Sequence, residues 1–389
     1  LSKYISKTGT GIISQITPNT FFANEYSRKI RDFLIEDCNL IEINNTGLVF
    51  EDASVETAIT IYSNSNYKGI TKVVNQNKEF KIDFNKTKYL TEDSKYLIKV
   101  DNQLLGVITK LNNNTKLEVY SKVWRGLTTG NDKKFLSDTK LNDEYKPLIT
   151  GSEIQRYFIE ENKKFVHYLP KELDRPRDER IFLLEEKLIS KFVGNRLTFG
   201  FDNEKKYVVN TACSVELINK KCNIKFLLCI LNSKLIDFYF QLIFSDSRST
   251  FPIMKSGNIE SLPIKDILLE LQQPFIEKAD TMLSLNKTLQ QQQSKVINML
   301  QRDYGLEKPT KKLETWYELS LQEFFKELAK AKIVLSAVQK DEVQEYFETY
   351  QKQAVATKNQ IIATDKQIDA MVYELYGLSE EEIEIVENN

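Results

Sequence analysis

The run Arg125-Gly126-Leu127-Thr128-Thr129-Gly130-Asn131-Asp132-Lys133-Lys134 sets two glycines around a threonine pair, then adds an amide, a carboxylate and two ammonium groups. Gly126 and Gly130 permit positive φ, and Asn131 and Asp132 tolerate left-handed geometry, so a tight turn there presents donors and charge together. Arg156 follows, then Arg175 and Arg177 around Pro176, with Arg180 close behind; Arg248, in the polar loop 245–250, and Lys255 complete the set. Groups of this kind on loops do two things. Their paired donors and acceptors match base edges, Arg or Lys to guanine and Asn to adenine, and the same cations hold phosphates. Read locally, the residues also describe an ordinary surface turn, and 174–180 a loop balanced by Asp174, Asp178 and Glu179.

The cations are not spread evenly. Over the whole chain 54 Lys and Arg face 55 Asp and Glu. Between 121 and 260 there are 24 against 19, a surplus of 5, whereas between 313 and 389 there are 7 against 16, a deficit of 9. A basic middle suits phosphate contact, and an acidic tail faces solvent or a partner. Cys38, Cys213, Cys222 and Cys229 lack metal-site pairing, and the single histidine, His167, gives no material for a zinc centre or a His-based triad. The thiols read as reduced, which predicts a cytoplasmic protein. The 389 residues, 41% hydrophobic, are enough for two or three packed domains. The longest apolar run, 226–231, is far short of a membrane span, so neither a membrane partner nor a secretory leader is expected.

Periodicity outlines the elements that must hold these loops. Residues 11–17, 39–43 and 58–62 are β-prone, and 23–35 has helical spacing at Tyr26, Ile30, Phe33 and Leu34. From 123 to 264 β-prone runs alternate with helices, and 224–244, apolar on several faces, reads as one buried helix. Beyond 265 the pattern changes. Phe275, Ala279, Met282, Asn286, Leu289, Gln293, Val296 and Leu300 fall at alternating four- and three-residue steps, as do Val343, Phe347, Tyr350, Ala354, Thr357, Ile361, Thr364, Ile368, Met371 and Leu375. Two such seams, separated by Lys308-Pro309-Thr310, predict an antiparallel coiled coil with arms about 40 Å long. Polar Asn286 and Gln293 would fix its register.

The run from 125 to 135, followed by Lys146-Pro147-Leu148-Ile149-Thr150-Gly151-Ser152-Glu153-Ile154-Gln155-Arg156-Tyr157, resembles the opening of the target-recognition domain of TaqI-like and type IIG adenine-N6 DNA methyltransferases. Asn232-Ser233-Lys234-Leu235, Phe251-Pro252-Ile253-Met254-Lys255 and Leu262-Pro263-Ile264 resemble its second half. Upstream, Ile12-Ile13-Ser14-Gln15-Ile16-Thr17-Pro18-Asn19-Thr20-Phe21-Phe22 resembles the sixth motif of that family, and Leu48-Val49-Phe50-Glu51-Asp52-Ala53-Ser54-Val55-Glu56-Thr57-Ala58 the eighth. The stretch 363–378 resembles the ending of many type IIG polypeptides. The resemblance implies an α/β fold in three parts. These are a remnant of a Rossmann-like methyltransferase sheet with a β-rich connection over 1–120, an α/β recognition domain over 121–265, and the helical tail over 266–389.

It also implies double-stranded DNA as partner, with Asn131, Lys133, Lys134, Arg156, Arg175, Arg177, Arg248 and Lys255 as contacts. Phe50 would stack on an adenine flipped out of the duplex, although a lone Phe before a loop also suits a core. The glycine-rich cofactor motif and the Asn-Pro-Pro-Tyr motif of the family are absent: no two of the eight prolines are adjacent, and the one GxG, Gly9-Thr10-Gly11, precedes a strand. The expectation is therefore a fragment that binds no cofactor and holds no catalytic residue. S-adenosylmethionine would serve a catalytic region upstream in the same polypeptide, and Mg2+ only a nuclease further upstream. Two rivals share some of these features: a type I-like specificity subunit, which would need a repeated recognition domain, and a coiled-coil scaffold that binds no nucleic acid.

Overall fold

The computed structural model describes residues 6–50, 55–91, 93–160, 164–244 and 253–389. Its first unit is a five-stranded sheet of β1 (Ile12–Pro18), β2 (Asn39–Gly47), β3 (Thr57–Ser63), β4 (Thr71–Asn75) and β5 (Lys78–Ile82), in the order β1-β3-β2-β4-β5. Strands β1 and β2, joined through a helix, both run antiparallel to β3 between them, β2 and β4 are parallel neighbours, and β4 and β5 are antiparallel. Helix α1 (Arg28–Glu36) buries Leu34 and Ile35 against Leu40, Ile43, Tyr62 and Val73.

Fully buried Arg31 ties this unit together. It donates to the carbonyls of Phe21 (2.6 Å), Asn24 (2.8 Å) and Ser94 (2.9 Å), and Tyr96 returns a hydrogen bond to its own carbonyl. The first core ends at Ile98, so packing puts the boundary ahead of the expected 120: helix α2 (Asn102–Asn112) packs with the middle of the chain.

The middle contains β6 (Thr115–Lys116), β7 (Ser121–Arg125), β8 (Leu136–Ser137), β9 (Tyr145–Ile149), β10 (Lys164–His167), β11 (Lys187–Lys191), β12 (Phe199–Asp202), β13 (Tyr207–Val208), β14 (Ala212–Leu217) and β15 (Pro263–Ile264). They form sheets ordered β13-β9-β10-β8 and β12-β11-β14-β7, with β15 and β6 paired apart. Strand alternation divides the side chains of the second of these sheets between two cores. Ile189 and Ala212 face Leu148, Ile149 and Val208 of the neighbouring sheet, whereas Leu188, Cys213 and Val215 face two helices.

Those helices are α3 (Ile224–Asn232) and α4 (Lys234–Phe244), which meet at 64°. The single helix expected over 224–244 is thus two. Extended Ser233 breaks it, with its hydroxyl bonded to the Ile230 carbonyl at 2.7 Å. No single helix among the described residues is long and apolar enough to cross a membrane.

The tail comprises α5 (Leu269–Tyr304), α6 (Leu321–Lys330), α7 (Ala337–Tyr376) and α8 (Glu380–Glu387). At 36 and 40 residues, α5 and α7 are about 54 and 60 Å long, more than the 40 Å expected. They run antiparallel: Lys278 reaches Gln367 at 2.7 Å near one end, and Lys295 lies over the Tyr350 ring near the other. Seam residues Ala279, Met282, Val296, Val343, Phe347 and Ile368 are buried. Asn286 does not bond across the pair; its amide returns to the Met282 carbonyl of its own helix. Left-handed Gly305 and Gly377 end the two arms. The far end has its own core around Trp316, while the near end, with Phe275, Ala279, Val372 and Tyr376, belongs to the core of the middle domain.

Candidate nucleic-acid interface

Strand β7 ends at Arg125, whose registered partner is Cys213 at the start of β14. The chain then crosses closely over the turn at 208–210. Leu127 donates to Val208 O and Asn210 to Leu127 O, both at 2.8 Å, and a side chain on Gly126 would lie 2.2 Å from Val209 O. Only glycine fits there. Thr128 and Arg175 exchange two backbone hydrogen bonds of 3.0 Å, which joins the glycine-threonine loop to the arginine loop. Gly130 turns the chain at φ +74° against Asp174, and Thr129 bonds to Asp132. Asn131 then caps the short helical turn 132–135, its side-chain oxygen accepting the Lys134 amide.

These contacts bring several expected residues together. Asn131, Lys133 and Lys134 are exposed on the first loop; Lys134 pairs with Glu172 at 2.6 Å, and Lys133 has no carboxylate partner among the described residues. Arg175 is 72% exposed with Asp174 3.7 Å away. The Nε of Arg177 donates to the Arg125 carbonyl at 2.7 Å. Lys255 is exposed beside Met254, whose amide binds Phe192 O at 2.8 Å, and the Arg125 guanidinium lies 3.7 Å from the Phe192 ring centroid. The glycine-threonine loop leaves the end of the β12-β11-β14-β7 sheet where Arg125, Cys213 and Ser190 sit in register, and the arginine loop is joined to that end through Thr128 and Arg125.

Two residues of the expected set stand apart. Arg248 lies outside the described residues. Arg156 is not on the exposed face: its guanidinium forks onto Asp365 of α7 at 2.6 and 2.7 Å and donates to Asn232 O at 2.7 Å. The correction has a physical cause: withdrawing the guanidinium from this partly buried fork would leave the Asp365 carboxylate uncompensated. Arg180 is likewise engaged, forking onto Glu216, which also accepts from Trp124; the Arg180 hydrogen bonds hold the Glu216 carboxyl below its usual pKa. Arg125 and Asn210 join this loop cluster, Arg125 donating to the Asn210 carbonyl and Asn210 to the Thr128 hydroxyl. The sequence signal for Arg125 is its position immediately before Gly126.

Phe50 is half exposed at 53%, in a loop with Leu48, Val49 and Val55, so it does not fill the core. The motif that contains it meets the one at 12–22. Asn19 donates to Asn45 at 3.1 Å and Glu56 at 2.7 Å, its amide binds Glu56 O, and Asn45 donates to Asn75 at 2.9 Å. This part-buried ladder ties Asn45 and Glu56, on either side of Phe50 in sequence, to Asn19.

His167 stacks on Tyr145 with Glu144 at 3.2 Å. Burial pushes the Cys213 and Cys222 thiols up to about 11 and about 12, which makes them poor nucleophiles. Among the described residues no three His, Cys, Asp or Glu converge as a metal site would require.

Residues 146–264 match the family model of the TaqI-like C-terminal specificity domain. Over this segment the chain is similar to TaqI-like specificity domains. Residues 269–372, directly after it, match a domain of unknown function (DUF8810). Among solved structures, the type IIG restriction endonuclease BpuSI is similar over 90% of this chain and 48% of its own, at 14% identity and TM-score 0.34. The type IIL restriction-modification enzyme MmeI, in complex with DNA, covers 92% and 50% at 10% identity and TM-score 0.48. The HsdS subunit from Thermoanaerobacter tengcongensis covers 59% and 50% at 11% identity and TM-score 0.29. The chain spans about half the length of these structures. No curated protein matches it. The specificity domain carries β9 through β15 with α3 and α4, and β7 and the glycine-threonine loop pack directly onto it.

Proposed function

We propose that this chain is the DNA-recognition part of a site-specific adenine-N6 DNA methyltransferase of a restriction-modification system. The observation that carries the reading is the gathering of Arg125, Asn131, Lys133, Arg175, Arg177 and Lys255 on adjoining loops at one end of the sheet of a TaqI-like specificity domain. Cations and amides at such an edge can neutralise phosphates and reach base edges at the same time. Exposed Phe50 is the surface on which an extruded adenine would regain stacking.

The catalytic step belongs to residues outside this chain in the same polypeptide, and S-adenosylmethionine is the methyl donor of the whole protein. No residue here is assigned to hold it. Mg2+ enters only with an upstream nuclease. The paired helices act as a coiled-coil brace for the recognition domain, and the protein works in the cytoplasm. Selection from a randomised pool of duplexes tests the reading. Retained duplexes should share a short motif that contains adenine; retention without any shared motif would refute sequence recognition.

A further inference from the structure

Arg156 and Asp365 are 209 residues apart, yet they form the densest polar contact between the tail and the specificity domain. The guanidinium is 22% exposed and the carboxylate 21%. Burial works most strongly against the Arg156 charge, but the Asp365 hydrogen bonds together with the charges of Tyr157, Asp365 and Asp369 outweigh it and leave its pKa raised. The same guanidinium binds Asn232 O, and the buried Asn232 side chain bridges Phe199, donating to its carbonyl at 2.8 Å and accepting its amide at 3.0 Å. Phe199 O also accepts the Tyr157 amide at 2.8 Å.

Tyr157 is the unusual member of this network. It is fully buried and holds φ +70°, a left-handed conformation that is costly for a bulky side chain and persists only where its surroundings over-determine it. Its hydroxyl donates to the same Asp365 carboxylate at 3.3 Å. One helical turn further along α7, Asp369 accepts the Lys234 amide at 2.8 Å and so caps α4 from another element. Two carboxylates four residues apart thus engage two separate parts of the specificity domain.

The strained turn is also connected to the proposed DNA face. Residues 150–154 precede it, with Glu153 accepting hydrogen bonds from the Thr150 amide and hydroxyl. The Gly151 amide binds the Thr211 hydroxyl at 3.0 Å, next to Asn210, which holds Leu127, Thr128 and Arg125.

We propose that Asp365 is a positioning residue: by holding Arg156 and Tyr157 it maintains the left-handed turn, and through 150–154 it sets the geometry of the loops that read DNA. The inference rests on the recognition reading for its purpose, but not for its structural content. Removing the charge in Asp365→Asn leaves the Arg156 cation uncompensated and the Tyr157 turn unsupported.

Amide hydrogen exchange on the full chain tests the structural part without DNA. In D365N the Gly151, Tyr157 and Phe201 amides should exchange roughly tenfold faster, while amides between β7 and β14 keep their protection. Duplex binding tests the purpose. The ratio of affinities for a duplex selected by the wild-type chain and for a scrambled duplex should fall, with the scrambled affinity unchanged, whereas a purely structural role would lower both together. If D365N does not fold, Arg156→Lys, which keeps the charge and loses the fork, should loosen the same amides to a smaller degree. Unchanged exchange at 151–157 in a folded variant overturns the inference, as does an unchanged ratio. If the wild-type chain prefers no duplex, the recognition reading fails and the exchange data alone decide whether Asp365 holds the turn.

Discussion

Arg177 donates its Nε to the main-chain carbonyl of Arg125, so two arginines from loops 52 residues apart share one site at the end of the sheet. Arg175 stands beside them, bonded through its backbone to Thr128 and largely exposed. Arg180, three residues beyond Arg177, is instead committed to Glu216.

This contrast separates two substitutions that look alike in sequence. Arg175→Ala should weaken duplex binding several-fold and reduce the slope of log K against log salt by about 1, the signature of one lost phosphate contact. Arg180→Ala should leave the slope unchanged. Fluorescence anisotropy of a labelled duplex across a salt series reads both.

Phe50 predicts a different phenotype. Phe50→Ala should cost about 1–3 kcal/mol of binding to a duplex carrying an extruded or mismatched target adenine. Binding to a fully paired duplex should change little, and Phe50→Trp should retain the difference. The emission of a fluorescent adenine analogue at the target position distinguishes a stacked base from a free one.

Gly126→Ala should destabilise the protein by about 1–3 kcal/mol, because its new methyl group would meet the backbone of Val209, which cannot yield as a flexible side chain would. Gly257→Ala is the control, since nothing lies within 4 Å of a Cβ there. Urea denaturation of the two variants measures the difference.

The tail junction carries a pH dependence of known sign. Burial pushes the Asp369 carboxyl up from 3.8 to about 6, with Asp365 adding to the shift and the Lys234 amide, Arg156 and Arg196 opposing it. The folded state therefore holds more protons than the unfolded state between about pH 4 and pH 6, and the stability this gives is lost as pH rises through that window. At pH 7 ionised Asp369 costs at most about 3 kcal/mol, less where solvent screens this partly exposed carboxylate. Asp369→Asn, which keeps an acceptor for Lys234, should raise Tm by a few degrees at neutral pH and leave it nearly unchanged at pH 4.

Local signals in the sequence suffice where one element decides its own structure. Strands expected at 11–17, 39–43 and 58–62 appear as Ile12–Pro18, Asn39–Gly47 and Thr57–Ser63, because alternation and flanking turns suffice to specify them. The glycine-threonine loop was legible for the same reason. What depended on distant partners was not. Nothing near Arg156 announces Asp365, and nothing near Arg180 announces Glu216, so both cations looked equally free. The break at Ser233 was hidden because a helix buried on all faces has no apolar period to interrupt. The placing of β3 between β1 and β2 depends on pairing across the sheet, which no local pattern specifies.

The central claim is that the basic loops at the end of the β12-β11-β14-β7 sheet hold duplex DNA. It is tested most directly by titrating the full chain against a labelled random-sequence duplex at low and then rising salt. The account predicts binding at low salt that falls steeply as salt rises, and a shallower slope in the combined Arg125→Ala, Arg175→Ala, Arg177→Ala variant. No binding at low salt, or an identical slope in the folded variant, would contradict it.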